Sequence, residues 1–73
     1  MSHDKLAYMA NQIGRFFQSQ KQDTAVAGIE DHLRRFWDPR MRKAIVKQLA
    51  DGSIQLDPPV RQAVERLRDQ TPA

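Results

Sequence analysis

The chain has 73 residues, a length that indicates one small domain. It has no cysteine, which excludes disulfides and thiolate metal sites. No apolar run reaches the ~20 residues that span a bilayer, so we expect a soluble, cytoplasmic protein that does not enter the membrane. The formal net charge is +3, but residues 34–47 alone sum to +5 and the remainder to −2. Such a basic patch can bind nucleic acid, a phosphate-bearing cofactor or an acidic protein surface.

The first helix is predicted at about residues 3–19, with Ser2 or Asp4 as its N-terminal cap. Its apolar residues recur at steps of three and four, which is typical of an amphipathic helix. Gly14 interrupts this pattern at a cost of about 1 kcal/mol relative to Ala. It indicates either that another helix backbone approaches closely or that the glycine is simply tolerated. The expected buried stripe consists of Leu6, Met9, Ala10, Ile13, Phe16 and Phe17.

Residues 18–24 contain no apolar side chain and are predicted to form a loop. The second helix is predicted at about residues 24–36, with Asp23 or Thr24 as its cap. Glu30 and Arg34 stand four residues apart in the order that favours an ion pair, which contributes roughly 0.2–0.5 kcal/mol on a helix surface. The expected buried face consists of Ala25, Val26, Ile29, Leu33 and Phe36.

The pair Asp38-Pro39 is a start signal for a third helix, predicted at about residues 39–50. An Asp side chain accepts hydrogen bonds from the free N–H groups of the first turn, and Pro at the first helical position lacks only a donor that would go unpaired. Gly52 suits the left-handed position that follows a helix. Three cations, Arg40, Arg42 and Lys43, lie in the first turns of this helix. Cations are mildly unfavourable at the positive N-terminal end of a helix dipole, so their presence there indicates that the basic patch has a function.

A second start signal, Asp57-Pro58, predicts a last helix at about residues 58–69. Four helical segments with short connections predict an all-α fold. We expect a single helical domain over residues 1–73, built as a small bundle of three to four short helices with antiparallel neighbours.

Groups for catalysis or metal binding are scarce in this sequence. It offers no cysteine nucleophile, no Gly-rich phosphate loop and no Ser-His-Asp set that so small a bundle could assemble. His3 and His32 lie far apart without an acidic cluster beside either, so no metal site is expected. His32 is expected to be half-exposed beside Phe36. We therefore expect no enzymatic activity in this chain.

Protein binding is the role that the residues of the central corner favour. Arg, Trp and Phe dominate interface hot spots, and all three types occur within residues 34–42. Phe36 and Trp37 would point about 100° apart on a helix, so they cannot both face inward. Phe36 is favoured over Trp37 as the residue that faces the core. Trp37 would then face outward and fill a pocket on the partner. The hypothetical contact consists of Arg34, Arg35, Trp37, Arg40 and Arg42, with Asp38 and Pro39 setting the corner geometry.

Three blocks of sequence stand out along the chain: MANQIGRFF (residues 9–17), AVAGIEDHLRRFWDPRMR (25–42) and LDPPVRQAVERL (56–67). Together they resemble the delta subunit of cytoplasmic NAD-dependent molybdenum formate dehydrogenases. The resemblance covers most of the chain, and the central block is its most specific part because helix propensity alone would not produce that run.

The resemblance implies a small accessory subunit without catalytic residues. In that family formate is oxidised at a molybdenum centre with two pterin guanine dinucleotides on the alpha subunit. Electrons pass along iron–sulfur clusters, and NAD is reduced through FMN on the beta subunit. The resemblance implies that the delta chain carries none of these cofactors. It also implies a role in the assembly, maturation or stability of the complex. We expect the chain to dock on the alpha subunit, and through it to associate with the beta and gamma subunits.

Three alternatives stay open. The chain could be a transient maturation factor that binds the molybdenum pterin cofactor or the apo-enzyme. It could be a small basic nucleic-acid-binding regulator, but the third helix has no Asn or Gln before Gln48 to read bases, so nucleic acid is not the favoured partner. An exposed Trp37 could also favour a homodimer of the isolated chain.

Overall fold

The computed structural model describes residues 5–70, and the side chains of residues 5–68. Within this part of the chain there are four helices and no strand. The helices pack against one another around one apolar cluster, which confirms the all-α prediction. Their bounds are α1 Leu6–Phe16, α2 Gln22–Phe36, α3 Pro39–Asp51 and α4 Pro58–Gln70.

The boundaries of the first two helices differ from the prediction. α1 ends at Phe16 instead of about residue 19, and the chain continues in a tight turn in which the Phe17 N–H donates to the Gly14 carbonyl (3.1 Å). α2 begins at Gln22, and its N-cap residue Lys21 makes no side-chain capping bond. Asp23 was therefore wrongly predicted as a cap, and so was Thr24, since both already lie inside the helix. The predicted caps of α1, at residues 2 and 4, lie outside the described residues.

Both ends of α3 form as predicted. The Asp38 carboxylate accepts a hydrogen bond from the Met41 N–H (2.9 Å), with Pro39 at the first helical position. Gly52 adopts a left-handed conformation (φ 75°) at the other end. There the Ser53 N–H donates to the Gln48 carbonyl, and the Gly52 N–H donates to the Leu49 carbonyl. This pair of bonds is the Schellman arrangement, which satisfies carbonyls that a helix end would otherwise leave unpaired.

α4 is the central helix, because its packing against α2 and α3 is the most extensive in the bundle and it also packs against α1. Its apolar face lies in the middle of the buried cluster, as its spacing predicted. All four helices contribute to this cluster, as does the residue that follows α2. The members are Leu6, Ala10, Ile13, Val26, Ile29, Leu33, Trp37, Ile45, Val60, Ala63, Val64 and Leu67.

The aromatic residues at the ends of α1 and α2 are not where the sequence placed them. Phe16 is 82% exposed and Phe36 is 72% exposed, so the predictions that they belong to the buried faces are wrong. Each is the last residue of its helix. Phe36 instead packs against His32, one turn back on its own helix, with ring centroids 4.7 Å apart, as expected for His32.

Trp37 is only 6% exposed and belongs to the core, so the expectation that it faces a partner is wrong. Neighbouring residues point about 100° apart only where both are helical. Trp37 has already left α2 and has an extended backbone (φ −89°, ψ 137°), which directs its side chain differently from a further helical residue. One aromatic residue does face inward, but it is Trp37 and not Phe36.

Two contacts join α1 to the region of α4. A Cβ atom added at Gly14 would clash with Val60 Cγ2, so a neighbouring helix does approach closely at this glycine, although with a side chain and not with its backbone. The Asn11 side-chain oxygen accepts a hydrogen bond from the Asp57 N–H (3.0 Å), and its nitrogen donates to the Gln55 carbonyl (3.3 Å). Asn11 therefore holds the segment that leads into α4, a role that the apolar spacing of α1 could not reveal.

Candidate functional site

Arg42 closes the corner between α2 and α3. Its Nη1 donates to the carbonyl of Arg34 (2.8 Å) and to the carbonyl of Trp37 (2.9 Å). The carbonyls at the C-terminal end of a helix lack intrahelical partners, and a cation there also interacts favourably with the helix dipole. The Arg42 guanidinium therefore performs a capping function for α2. Its position in the first turns of α3 is explained by this contact and does not require a partner.

Trp37 lies in the same corner and is held at its backbone and its side chain. Its N–H donates to the Leu33 carbonyl (3.1 Å), its carbonyl accepts from Arg42, and its ring is buried. A side chain in this position stabilises the bundle but does not present a surface to another protein. The proposed insertion of Trp37 into a partner is therefore not compatible with this fold.

Arg34 belongs to an ionic cluster that links α2 to α4. Its Nη2 lies 2.9 Å from Glu30 Oε2, which confirms the predicted pair. The other oxygen of Glu30 lies 3.6 Å from Arg66 Nη1 on α4. The Glu30 side chain is only 13% exposed, so it is screened less than a surface carboxylate. Because Arg34 already pairs with Glu30, its guanidinium is less available to a carboxylate of a partner.

Arg35 and Arg40 are the two predicted contact residues that the fold leaves on the surface. Arg35 is 71% exposed and pairs with an equally open carboxylate, Asp31 (Nε to Oδ2, 2.9 Å). An exposed pair of this kind is worth about 0–1 kcal/mol and exchanges readily for another carboxylate. Arg40 is exposed and makes no ion pair with the described residues.

Arg40 shares its helix face with further cations. Arg40, Lys43 and Lys47 are spaced three and four residues apart on α3, and all three are exposed. Residues at this spacing lie on one side of a helix, and the buried Ile45 lies on the other. No ion pair within the described part of the chain neutralises these three charges. We call Arg40, Lys43 and Lys47 the basic face of α3.

Phe36 is a surface feature that the sequence reasoning placed in the core. It is exposed next to Arg35 at the end of α2, and its ring contacts the His32 ring in a tilted arrangement. Its position immediately before the chain leaves α2 was the available signal, because an apolar side chain at a helix end can extend beyond the neighbouring helices. The corner thus combines an exposed aromatic ring with arginines on both sides of it in sequence.

Three further properties of the described residues concern metal ions, small molecules and membranes. Among the described residues no group of three or more His, Cys, Asp or Glu side chains could hold a metal ion. The open groove between α3 and α4, lined in part by Leu49, Arg61 and Arg68, has a volume of about 260 Å³, below the roughly 300–1,000 Å³ typical of small-molecule sites. No helix within residues 5–70 is long and apolar enough to cross a bilayer.

Comparison with known families gives one match. The model of a family described as the NADH-dependent formate dehydrogenase delta subunit, FdsD, matches residues 5–64. The matched segment includes the first three helices, the whole corner and the first half of α4. Neither the curated proteins nor the solved structures contain a significant match to the chain.

Proposed function

Because the chain belongs to the NADH-dependent formate dehydrogenase delta subunit family, we propose that it is a non-catalytic accessory subunit that docks on the catalytic alpha subunit. In this role it supports the assembly, maturation or stability of the complex. The observation that carries the proposal is the family match across residues 5–64, which includes the corner and its exposed arginines. The proposed location is the cytoplasm, in keeping with the cytoplasmic enzymes that the sequence resembles.

The residue content of the chain supports an accessory role. Iron–sulfur clusters are held by cysteine thiolates, and this sequence has no cysteine. The iron–sulfur clusters are therefore proposed to reside on the other subunits. The family resemblance leads to the same proposal for the molybdenum pterin guanine dinucleotide, FMN and NAD. The part-buried carboxylate of Glu30 is engaged by two arginines of the same chain, Arg34 and Arg66.

The predicted contact divides into two groups with different proposed tasks. Arg34, Trp37 and Arg42 hold the corner together, as their contacts within the chain support. Arg35 and Arg40 are exposed and are the proposed contacts with the alpha subunit. Arginine suits this task because its planar group forms several hydrogen bonds to carboxylates at once. Asp38 and Pro39 set the direction in which α3 leaves the corner.

The decisive experiment compares the enzyme produced with and without this chain. All subunits are co-expressed with a tag on the alpha subunit, and the purified material is analysed for subunit proportions, molybdenum, iron and activity. We expect the chain to co-purify in fixed proportion and its omission to lower the yield of intact, molybdenum-loaded complex. Unchanged yield and loading, together with no co-purification, would refute the proposal.

The same experiment separates a subunit from a transient maturation factor. A subunit is present in fixed proportion in the active, fully loaded enzyme. A maturation factor is found on the apo-enzyme and is released when the molybdenum cofactor is inserted. Recovery of the chain only with enzyme that lacks molybdenum would therefore replace the accessory-subunit proposal with the maturation-factor alternative.

A further inference from the structure

Phe36 combines features that the rest of the fold does not explain. It is a large apolar side chain at 72% exposure, yet it is supported by the ring of His32. A ring contact of this kind restricts the rotamers of an exposed aromatic residue, so less conformational entropy is lost when a partner covers it. A supported ring at a helix end is therefore suited to act as an anchor.

Basic residues lie on both sides of Phe36 in the sequence. Arg35 precedes it directly, and Arg40 lies in the first turn of α3, no more than about 14 Å away along the chain. Lys43 and Lys47 extend the positive charge along the same face of α3. The Asp38 carboxylate caps the N-terminal end of α3 and offsets its helix dipole, so the positive charge of this region comes from the basic side chains.

These observations favour a partner with the opposite charge. A second copy of the chain, docked across a two-fold axis, would place the same surface patch against itself. The uncompensated charges of Arg40, Lys43 and Lys47 would then face one another, which is repulsive. An acidic surface pairs with them instead and also accelerates association.

We infer that Phe36 is the anchor of the subunit interface, inserting into an apolar pocket on the alpha subunit whose rim is lined with carboxylates that pair with Arg35 and the basic face of α3. This inference rests on the proposed function and names the surface that performs it. Trp37 and Arg42 act indirectly, since they hold the corner that presents the ring.

The test uses full-length variants co-expressed with the remaining subunits, and measures the amount of chain retained per alpha subunit. Phe36→Ala is expected to lower the apparent affinity at least about tenfold, as truncation of a central aromatic anchor does. Arg40→Glu is expected to weaken retention severalfold at about 0.1 M salt and much less at about 1 M salt, where the Debye length falls from about 10 Å to about 3 Å.

Two matched controls lie elsewhere on the chain. Phe16→Ala removes a ring that is at least as exposed as Phe36, and Lys21→Glu reverses an exposed charge. Lys21 directly precedes α2, whereas Phe36 is its last residue, so about 20 Å of helix separates these two positions. Phe16 is the last residue of a different helix, α1. Both controls are expected to be retained within about twofold of the parent chain, the level of a peripheral contact.

Each outcome has a distinct meaning. If Phe36→Ala and Arg40→Glu are retained like the parent chain, the interface is elsewhere and the inference is wrong, while the proposed function stands. If the parent chain itself is not retained, the inference and the proposed function are both wrong. If Phe36→Ala instead dissociates a homodimer of the parent chain, Phe36 anchors a second copy, which also overturns the inference. A thermal melting curve within about 2 °C of the parent confirms that each variant is folded.

Discussion

Individual residues of the corner differ in function even where they are adjacent in sequence. Phe36 and Trp37 are both large aromatic residues, but one faces solvent and the other closes the core. Arg40 and Arg42 are two positions apart on α3, but one is free of ion pairs within the described residues and the other caps α2. In each pair, substitution of the exposed residue is therefore a matched control for substitution of the residue that holds the fold.

We expect Trp37→Ala to destabilise the chain by about 3–5 kcal/mol, the range for truncating a buried aromatic residue. This is comparable with the whole net stability of so small a core, roughly 3–5 kcal/mol. The isolated variant should therefore lose its cooperative thermal transition in far-ultraviolet circular dichroism. Phe36→Ala is the control, with a change of about 0.5 kcal/mol or less expected for an exposed position. A larger effect at Phe36 than at Trp37 would contradict this assignment.

We expect Arg42→Ala to lower the free energy of unfolding by about 1–3 kcal/mol, because two carbonyls at the end of α2 lose a charged donor. Arg40→Ala, on the same helix, should change it by about 0.5 kcal/mol or less. Urea denaturation of the two variants provides the comparison. Equal values for both would show that the Arg42 hydrogen bonds contribute nothing to the stability of the corner.

At the scale of elements, α3 is the helix whose ends are defined by its own flanking residues. Asp38 caps its N-terminus and Gly52 ends it with a left-handed residue. α2, in contrast, begins without a side-chain cap, and its C-terminal carbonyls depend on Arg42 of the next helix. The stability of α2 therefore depends more on its neighbours than that of α3 does.

We expect Asp38→Ala to destabilise the chain by about 1 kcal/mol, since the Met41 N–H loses its acceptor. Asp38→Asn should recover most of this loss because Asn caps a helix about as well as Asp. Thermal denaturation of the two variants tests the difference. A loss in Asp38→Asn as large as in Asp38→Ala would indicate that the negative charge, and not the capping bond, stabilises α3.

On the scale of the whole molecule, α4 connects the other helices. It packs on α1 at Gly14, on α2 at the buried cluster and through the Glu30–Arg66 pair, and on α3 across the groove. Asn11 holds the segment before it. The bundle is therefore sensitive to changes in helix spacing, because small cores have few other contacts to compensate.

We expect Gly14→Ala to destabilise the bundle by about 1–3 kcal/mol, because the added methyl group overlaps Val60 Cγ2 and the branched side chain of valine has few alternative rotamers. Val60→Ala should remove the overlap. The double variant should therefore be more stable than the sum of the two single effects by about 0.5 kcal/mol or more. Strictly additive effects in urea denaturation would show that the two helices adjust their spacing freely.

Several features of the fold could be predicted because they depend on residues close together in sequence. The cap at Asp38, the left-handed Gly52 and the Glu30–Arg34 pair each involve groups within about four positions along one helix. The partner contact stays a prediction. Three of its five residues, Arg34, Trp37 and Arg42, are engaged within the fold, and Arg35 and Arg40 lie at the surface.

The remaining features could not be read from periodicity. Phe16 and Phe36 follow the apolar spacing of their helices, but each lies at a helix end, where exposure depends on how far the neighbouring helices reach. The contacts of Asn11 with residues 55 and 57 join positions more than forty residues apart. Nothing in the sequence around Asn11 distinguishes it from an ordinary surface amide.

The sequence by itself determined the helical class, the position of the central corner and the family, because helix caps, apolar spacing and a specific run of residues are all properties of neighbouring positions. Only the tertiary structure decided which aromatic residue is buried and which arginines are available to a partner. The physical reason is that burial and ion pairing depend on what the other helices bring to each side chain. At this corner, Arg42 of α3 binds the carbonyls of Arg34 and Trp37, and Arg66 of α4 pairs with Glu30, the partner of Arg34. Phe36 and Arg40 stay at the surface.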